Sequence, residues 1–130
     1  SNMKYSQLNQ AIQNISVVIG QQETKIQKKL FKIFEKLKPY QETYQTELEI
    51  LRLDHAQEDE KGAVILDEKG GYKFTKEGIK KLTADINSLN EQEFAFEKIN
   101  VVNPDGLSEF FWLKDFLNGV EFVQVEDEEL

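Results

Sequence analysis

One histidine, His55, stands in the segment Leu53-Asp54-His55-Ala56-Gln57-Glu58-Asp59-Glu60. On a helix, Asp54 and Glu58, like His55 and Asp59, share a face, where an imidazole nitrogen and carboxylate oxygens could ligate a metal. A metal centre needs three or four convergent ligands, whereas this cluster lies at a polar helix end. A histidine there more commonly meets the last carbonyls and the negative end of the helix dipole. No metal ligand and no cofactor is assigned. Any Ser-His-Asp triad would have to be built around His55. Cysteine is absent, which removes disulfides, thiolate nucleophiles and cysteine metal sites together. With 24 Asp and Glu in 130 residues, paired carboxylates carry no information. Only Glu109, beside Phe110, has an apolar neighbour of the kind that tunes an acid. No catalytic residue is assigned, and the chain reads as non-enzymatic.

The stretch Ala63-Val-Ile-Leu-Asp-Glu-Lys-Gly-Gly-Tyr-Lys-Phe-Thr75 places Lys69-Gly70-Gly71 between two apolar runs. A phosphate loop needs a Gly-Lys-Ser/Thr at a helix mouth. Here the glycines precede a strand, and Glu77 in the first turn of the next helix would repel an anion. A hairpin followed by Tyr-x-Phe-Thr-x-x-Gly is also the junction from wing to helix of winged-helix proteins, with Lys73, Lys76, Lys80 and Lys81 as the phosphate contacts. A long helix replaces the helix-turn-helix expected upstream, so this nucleic-acid reading is the alternative. The favoured reading is a plain hairpin handing over to a helix.

Aromatic residues are the third candidate. If Leu107 to Gly119 is a helix, Phe110, Phe111, Leu113 and Leu117 share one face, and Trp112 and Phe116 fall nearly opposite. A helix apolar on two sides is either sandwiched or offers one side to a partner. Trp and Phe anchor interfaces, so Trp112 and Phe116 are candidate contact residues. Against this, Trp112 could pack on Leu107 within the fold.

These residues must be positioned by the elements around them. Leu8, Ile12, Ile15 and Ile19 recur at helical spacing and predict a helix over 6–19, capped by Ser6 and ended by Gly20. Ile26, Leu30, Ile33, Leu37, Tyr40, Tyr44, Leu48 and Leu51 form a near-heptad seam. Pro39 lies inside it, and the phase of the stripe survives. One helix over about 22–57, kinked near Pro39, is therefore predicted. Its seam packs inside the fold or self-associates, which makes Tyr40 and Tyr44 candidate interface residues too. Strands are expected at 63–66 and 72–74. Thr75 caps a helix to about Asn90, with Ile79, Leu82, Ile86 and Leu89 as its stripe and Phe74 stapled on Ile79. A strand is expected over 93–102, a turn at Asn103-Pro104-Asp105-Gly106, a last helix from Ser108 and a strand over 120–125. The acidic end, 126–130, is expected to fray. No internal repeat is expected. The sum is an α+β domain over 1–130: an N-terminal helical hairpin with one long kinked helix, and a small antiparallel sheet with two further helices.

Charge narrows the partners. The net charge is −8, and it is uneven: residues 1–57 hold eight Lys or Arg against six acids, the rest eight against eighteen. The acidic half repels phosphate backbones and disfavours nucleic acid. The run from Lys25 to Lys38 could face an acidic partner or the chain's own acidic half; a solvated helix face is the plainer reading. Ser1-Asn2 before Met3 reads as an expression scar. No apolar run is long enough for a membrane span, and a cytoplasmic protein is expected.

The order of elements resembles a family of small proteins encoded by tailed bacteriophages and prophages. The residues that carry the resemblance are Asp67 to Phe74 (DEKGGYKF), Glu93 to Phe96 (EFAF) and Gly106 to Ser108 (GLS). Pro39 and the aromatic run Phe110-Phe-Trp-Leu113 depart from the family pattern. The family supplies no catalytic residues to carry over. The resemblance implies a non-enzymatic phage protein from a structural or assembly gene cluster, working in the host cytoplasm or with the virion through a protein partner or self-association.

Overall fold

Met3 and Phe94 face each other across the first strand pair. In the computed structural model, which describes residues 1–124, Asn2–Lys4 (β1) pairs antiparallel with Glu93–Ala95 (β2). The ladder continues as the Phe96 N–H donates to the Ser1 carbonyl at 2.8 Å, so Ser1 and Asn2, read as a scar, take part in strand pairing. Tyr5–Val18 (α1) follows directly. Its start is satisfied by Gln7, whose Oε1 accepts from the Lys4 N–H at 3.0 Å, and not by Ser6, which lies inside the first turn. Leu8, Ile12 and Ile15 are buried as the stripe predicts, joined by Tyr5 and Ala11. A short 3-10 turn, Ile19–Gln21, leads to the long helix.

That helix, Thr24–His55 (α2), runs without interruption through Pro39. Proline removes one hydrogen bond and crowds the Glu35 carbonyl, at about 3 kcal/mol or more. Each fully buried Leu or Ile of the seam contributes roughly 1.5–3 kcal/mol. Ile26, Leu30, Ile33 and Leu37 before the proline and Tyr44 and Leu48 after it are all buried, so packing outweighs the defect. Tyr40 and Leu51 are half-buried.

The chain divides into two compact units, one of Ser1–Pro39 with the residues from Glu93 onward, the other of Tyr40–Gln92. In the first, Met3, Leu8, Leu30, Leu37, Leu107 and Leu113 form the fully enclosed centre. Tyr5 stacks on Phe94 at 4.6 Å between centroids, and Phe96 meets Phe116 edge-on at 5.5 Å. Ile99–Asn100 (β3) pairs in parallel with Leu117–Asn118 (β4).

The expected last helix is not there. Residues 104–116 form a run of three-residue turns instead: Leu107 N–H donates to Pro104 O, Phe110 to Leu107, Leu113 to Phe110 and Phe116 to Leu113, at 2.9–3.1 Å. Only Phe111–Leu113 amounts to a 3-10 helix. The reason is the spacing of the apolar residues. Leu107, Phe110, Leu113 and Phe116 are all buried and recur at three, which is the 3-10 period. An α-helix would swing them progressively off the core. The bulky run Phe110-Phe111-Trp112 is also a mediocre helix former. The expected strand over 120–125 is likewise absent among the described residues 120–124, where one bond, Val123 N–H to Ser108 O, ties the chain down. The acidic end at 126–130 lies outside the described residues.

The second unit holds a repeat that the sequence reading did not find. Asp59-Glu-Lys-Gly62 and Asp67-Glu-Lys-Gly70 build the same turn twice. In each, the Asp Oδ1 accepts from the N–H two and four residues on, at 2.8 and 3.0 Å in the first and 2.8 and 2.9 Å in the second. In each, the glycine sits in the left-handed region, φ 81° and 82°, which closes a three-residue hairpin loop with little strain. The strands expected at 63–66 and 72–74 do not form; isolated bridges, Glu58 with Val64 and Leu66 with Tyr72, hold these segments, which close a ring. Gln57 N–H donates to Lys73 O, Lys73 N–H to Ile65 O, and Ile65 N–H to Gln57 O, with three donors at positions eight apart. The period runs on once more: Thr75 replaces the aspartate, its Oγ1 accepts from Gly78 N–H at 3.0 Å, and the turn becomes the start of Lys76–Glu91 (α3). Leu82 and Leu89 are buried and Ile86 half-buried, but Ile79, the expected partner of Phe74 in a staple, is exposed.

Among the described residues the architecture is α+β with three α-helices, one of them long. No helix among the described residues is long and apolar enough to cross a membrane.

Candidate functional site

His55 is the last residue of α2, so the helical pairs with Glu58 and Asp59 are not formed. Asp59 is spent on its own turn. His55 Nε2 instead lies 2.6 Å from Asp85 Oδ2 on α3, with the imidazole largely covered. Among the described residues no group of three or more His, Asp or Glu could hold a metal ion, and no hydroxyl bonds the other ring nitrogen. The contact joins two helices of the second unit. Glu109, the acid with an apolar neighbour, is exposed.

The hairpin lysines Lys73, Lys76, Lys80 and Lys81 are all exposed. Behind them, the Tyr72 hydroxyl donates to the Glu49 carboxylate of α2, which pushes the Tyr72 pKa above its ordinary value; partial burial and the carboxylate charge add to the rise, and Arg52 opposes it.

The aromatic candidates separate. Phe116 is 2% exposed and belongs to the core of the first unit, so it cannot serve as a surface anchor. Trp112 is half-buried, packs against Phe110 at 5.7 Å and borders a shallow concavity of about 290 Å³ on the polar side of α1. The two are not one turn apart on a helix face, because there is no helix. Tyr44 is buried, with its hydroxyl donating to Asn90 Oδ1 at 2.6 Å, and Tyr40 is half-buried. Their stretch of the seam is packed within the fold.

A different feature of the first unit has the shape of a binding site. Lys29, Lys32 and Lys36 stand along one side of α2 and rim a groove of about 360 Å³. The buried Ile33 and Leu107 line it, and residues Ile99 to Asn103, strand at Ile99–Asn100 and bent at Val102, form its other wall. No acidic side chain lines it. Lys29 is tethered by donating to the Asp105 carbonyl at 2.6 Å. Lys32 and Lys36 are exposed and have no hydrogen-bond or ion-pair partner among the described residues. On the far wall, Ile99 N–H donates to Phe116 O and Val101 N–H to Asn118 O, both at 2.9 Å. Alternation along β3 then turns the N–H and C=O of Asn100 to the opposite edge, and the chain bends just beyond it, at Val102. That edge carries no backbone bond among the described residues. Val102 is 97% exposed, and Phe31, next to Lys32 in sequence, is 54% exposed.

Part of this was readable. Lys29, Lys32 and Lys36 each stand one residue before a buried seam position, Leu30, Ile33 and Leu37, so on a helical wheel they flank the seam. The strand edge opposite them, supplied from about 65 residues away, was not. No protein-family model, no curated protein and no solved structure matches the chain.

Proposed function

We propose that this chain is a tailed-phage or prophage protein without catalytic activity, acting through protein–protein contacts in a structural or assembly role, in the host cytoplasm or with the virion. The observation that carries the reading is the lysine-rimmed apolar groove. Exposed apolar patches rimmed by polar residues are characteristic of surfaces that meet other proteins. The largely covered His55–Asp85 pair, bonded between two helices of one unit, fits a structural role better than a reactive one.

Co-expression with the products of adjacent genes, followed by size-exclusion chromatography with light scattering, tests this. Stoichiometric co-elution with at least one product is expected. A protein that co-elutes with none, remains monomeric and shifts duplex DNA with a steep salt dependence would overturn the reading in favour of the nucleic-acid alternative.

A further inference from the structure

We infer that the groove of the first unit takes an extended acidic peptide of a partner protein as an added β-strand on the open edge of β3 at Asn100, beside the exposed bend at Val102. The inference rests on the recognition reading above and specifies how recognition is achieved. Two independent observations converge. One is backbone chemistry: the bonds to Phe116 O and Asn118 O consume one edge of the strand and leave the N–H and C=O of Asn100 unpaired. An open edge is a template for another strand, and a helix running beside such an edge makes a groove in which main-chain bonds give affinity and pockets read alternate side chains.

The other observation is charge. The helix side of the groove presents Lys32 and Lys36 without partners, four residues and so one turn apart, and no lining carboxylate opposes them. Their spacing along α2 is about 6 Å, close to the roughly 6.6–6.8 Å between alternate residues of a strand. A strand lying beside β3 at Asn100 can thus set two acidic residues, i and i+2, against the two lysines. Its intervening residues point the other way.

A fluorescein-labelled heptapeptide of alternating acidic and β-branched residues is the probe, titrated against the full chain by anisotropy and by amide NMR. Saturable binding is expected, with the Asn100 and Val102 amide signals among those that move. N-methylation at alternate peptide nitrogens removes the main-chain donors and should weaken binding about tenfold or more. Lys32→Glu with Lys36→Glu should weaken it to a similar degree, about tenfold, and more so at low salt. Lys80→Glu with Lys81→Glu, on α3, should leave it unchanged. Both pairs are exposed, so circular dichroism is expected to report an intact fold.

Equal affinity for the N-methylated peptide, or for polyglutamate of the same length, would overturn strand addition, because charge attraction would then suffice. So would no binding at millimolar peptide. A concentration-dependent dimer that Val102→Pro abolishes would assign the edge to a second copy of this chain and also overturn it. If a neighbouring gene product still co-elutes with the Lys32→Glu, Lys36→Glu protein, recognition stands and this groove is not its site.

Discussion

Replacing Gly106 by alanine tests how tightly the turn chain over 104–116 is seated. Gly106 lies in the left-handed region, φ 84°, where a Cβ costs roughly 1–2 kcal/mol. A Cβ there would also fall 2.0 Å from Ile26 Cδ1 and 3.1 Å from Cγ1. Ile26 is 7% exposed, so its methyl has little room to retreat, and overpacking of this kind adds about 1–3 kcal/mol. The substitution should therefore destabilise the protein by about 2–5 kcal/mol. Gly70→Ala is the internal control: its φ is 82°, and nothing lies within 4 Å of the added Cβ, so it should show the backbone part only. Urea unfolding of both variants at neutral pH separates the two contributions. Ile26→Val removes the obstructing methyl and should cost about 0.5–1.5 kcal/mol by itself. Combined with Gly106→Ala it should be distinctly less damaging than the sum. Equal losses for Gly106→Ala and Gly70→Ala, or strict additivity with Ile26→Val, would refute the claim that the turn is pressed against α2.

Two further outcomes follow from the second unit. Asp59→Ala and Asp67→Ala each remove an acceptor of two backbone N–H bonds in matching exposed turns, so each should lower stability by about 1–2 kcal/mol and the two losses should agree within experimental error. Tyr72, whose phenol donates to Glu49, should ionise above the ordinary tyrosine range in a spectrophotometric titration at 295 nm, and the upward displacement should shrink in Glu49→Gln, which removes the carboxylate charge. Because the folded pKa is the raised one, this contact supports the fold below the unfolded tyrosine pKa, and its contribution is lost as the pH climbs through the folded pKa; Tyr72→Phe should flatten that alkaline decline.

What the sequence by itself determined is everything that depends on a local period. The α1 stripe, the seam through Pro39 and the Thr75 cap form where the residues place them, and the turn expected at Asn103–Gly106 forms one residue later, at Pro104–Leu107, because side-chain direction repeats at 3.6 residues and caps act within one turn. The same reasoning failed over 107–117. A mixed apolar run suits several periods, and only the core decided that Leu107, Phe110, Leu113 and Phe116 would be buried at a spacing of three. The octad Asp59, Asp67, Thr75 was present in the letters, but its identity as one repeated turn depends on which backbone groups the aspartates bind. Tertiary structure alone decided the candidate site. The lysines of α2 were legible as a charged helix face, yet a face becomes a groove only when a second element stands opposite it. That element is a strand from the far end of the chain, and its open edge depends on which neighbour takes its other hydrogen bonds. Long-range pairing leaves little trace in local spacing.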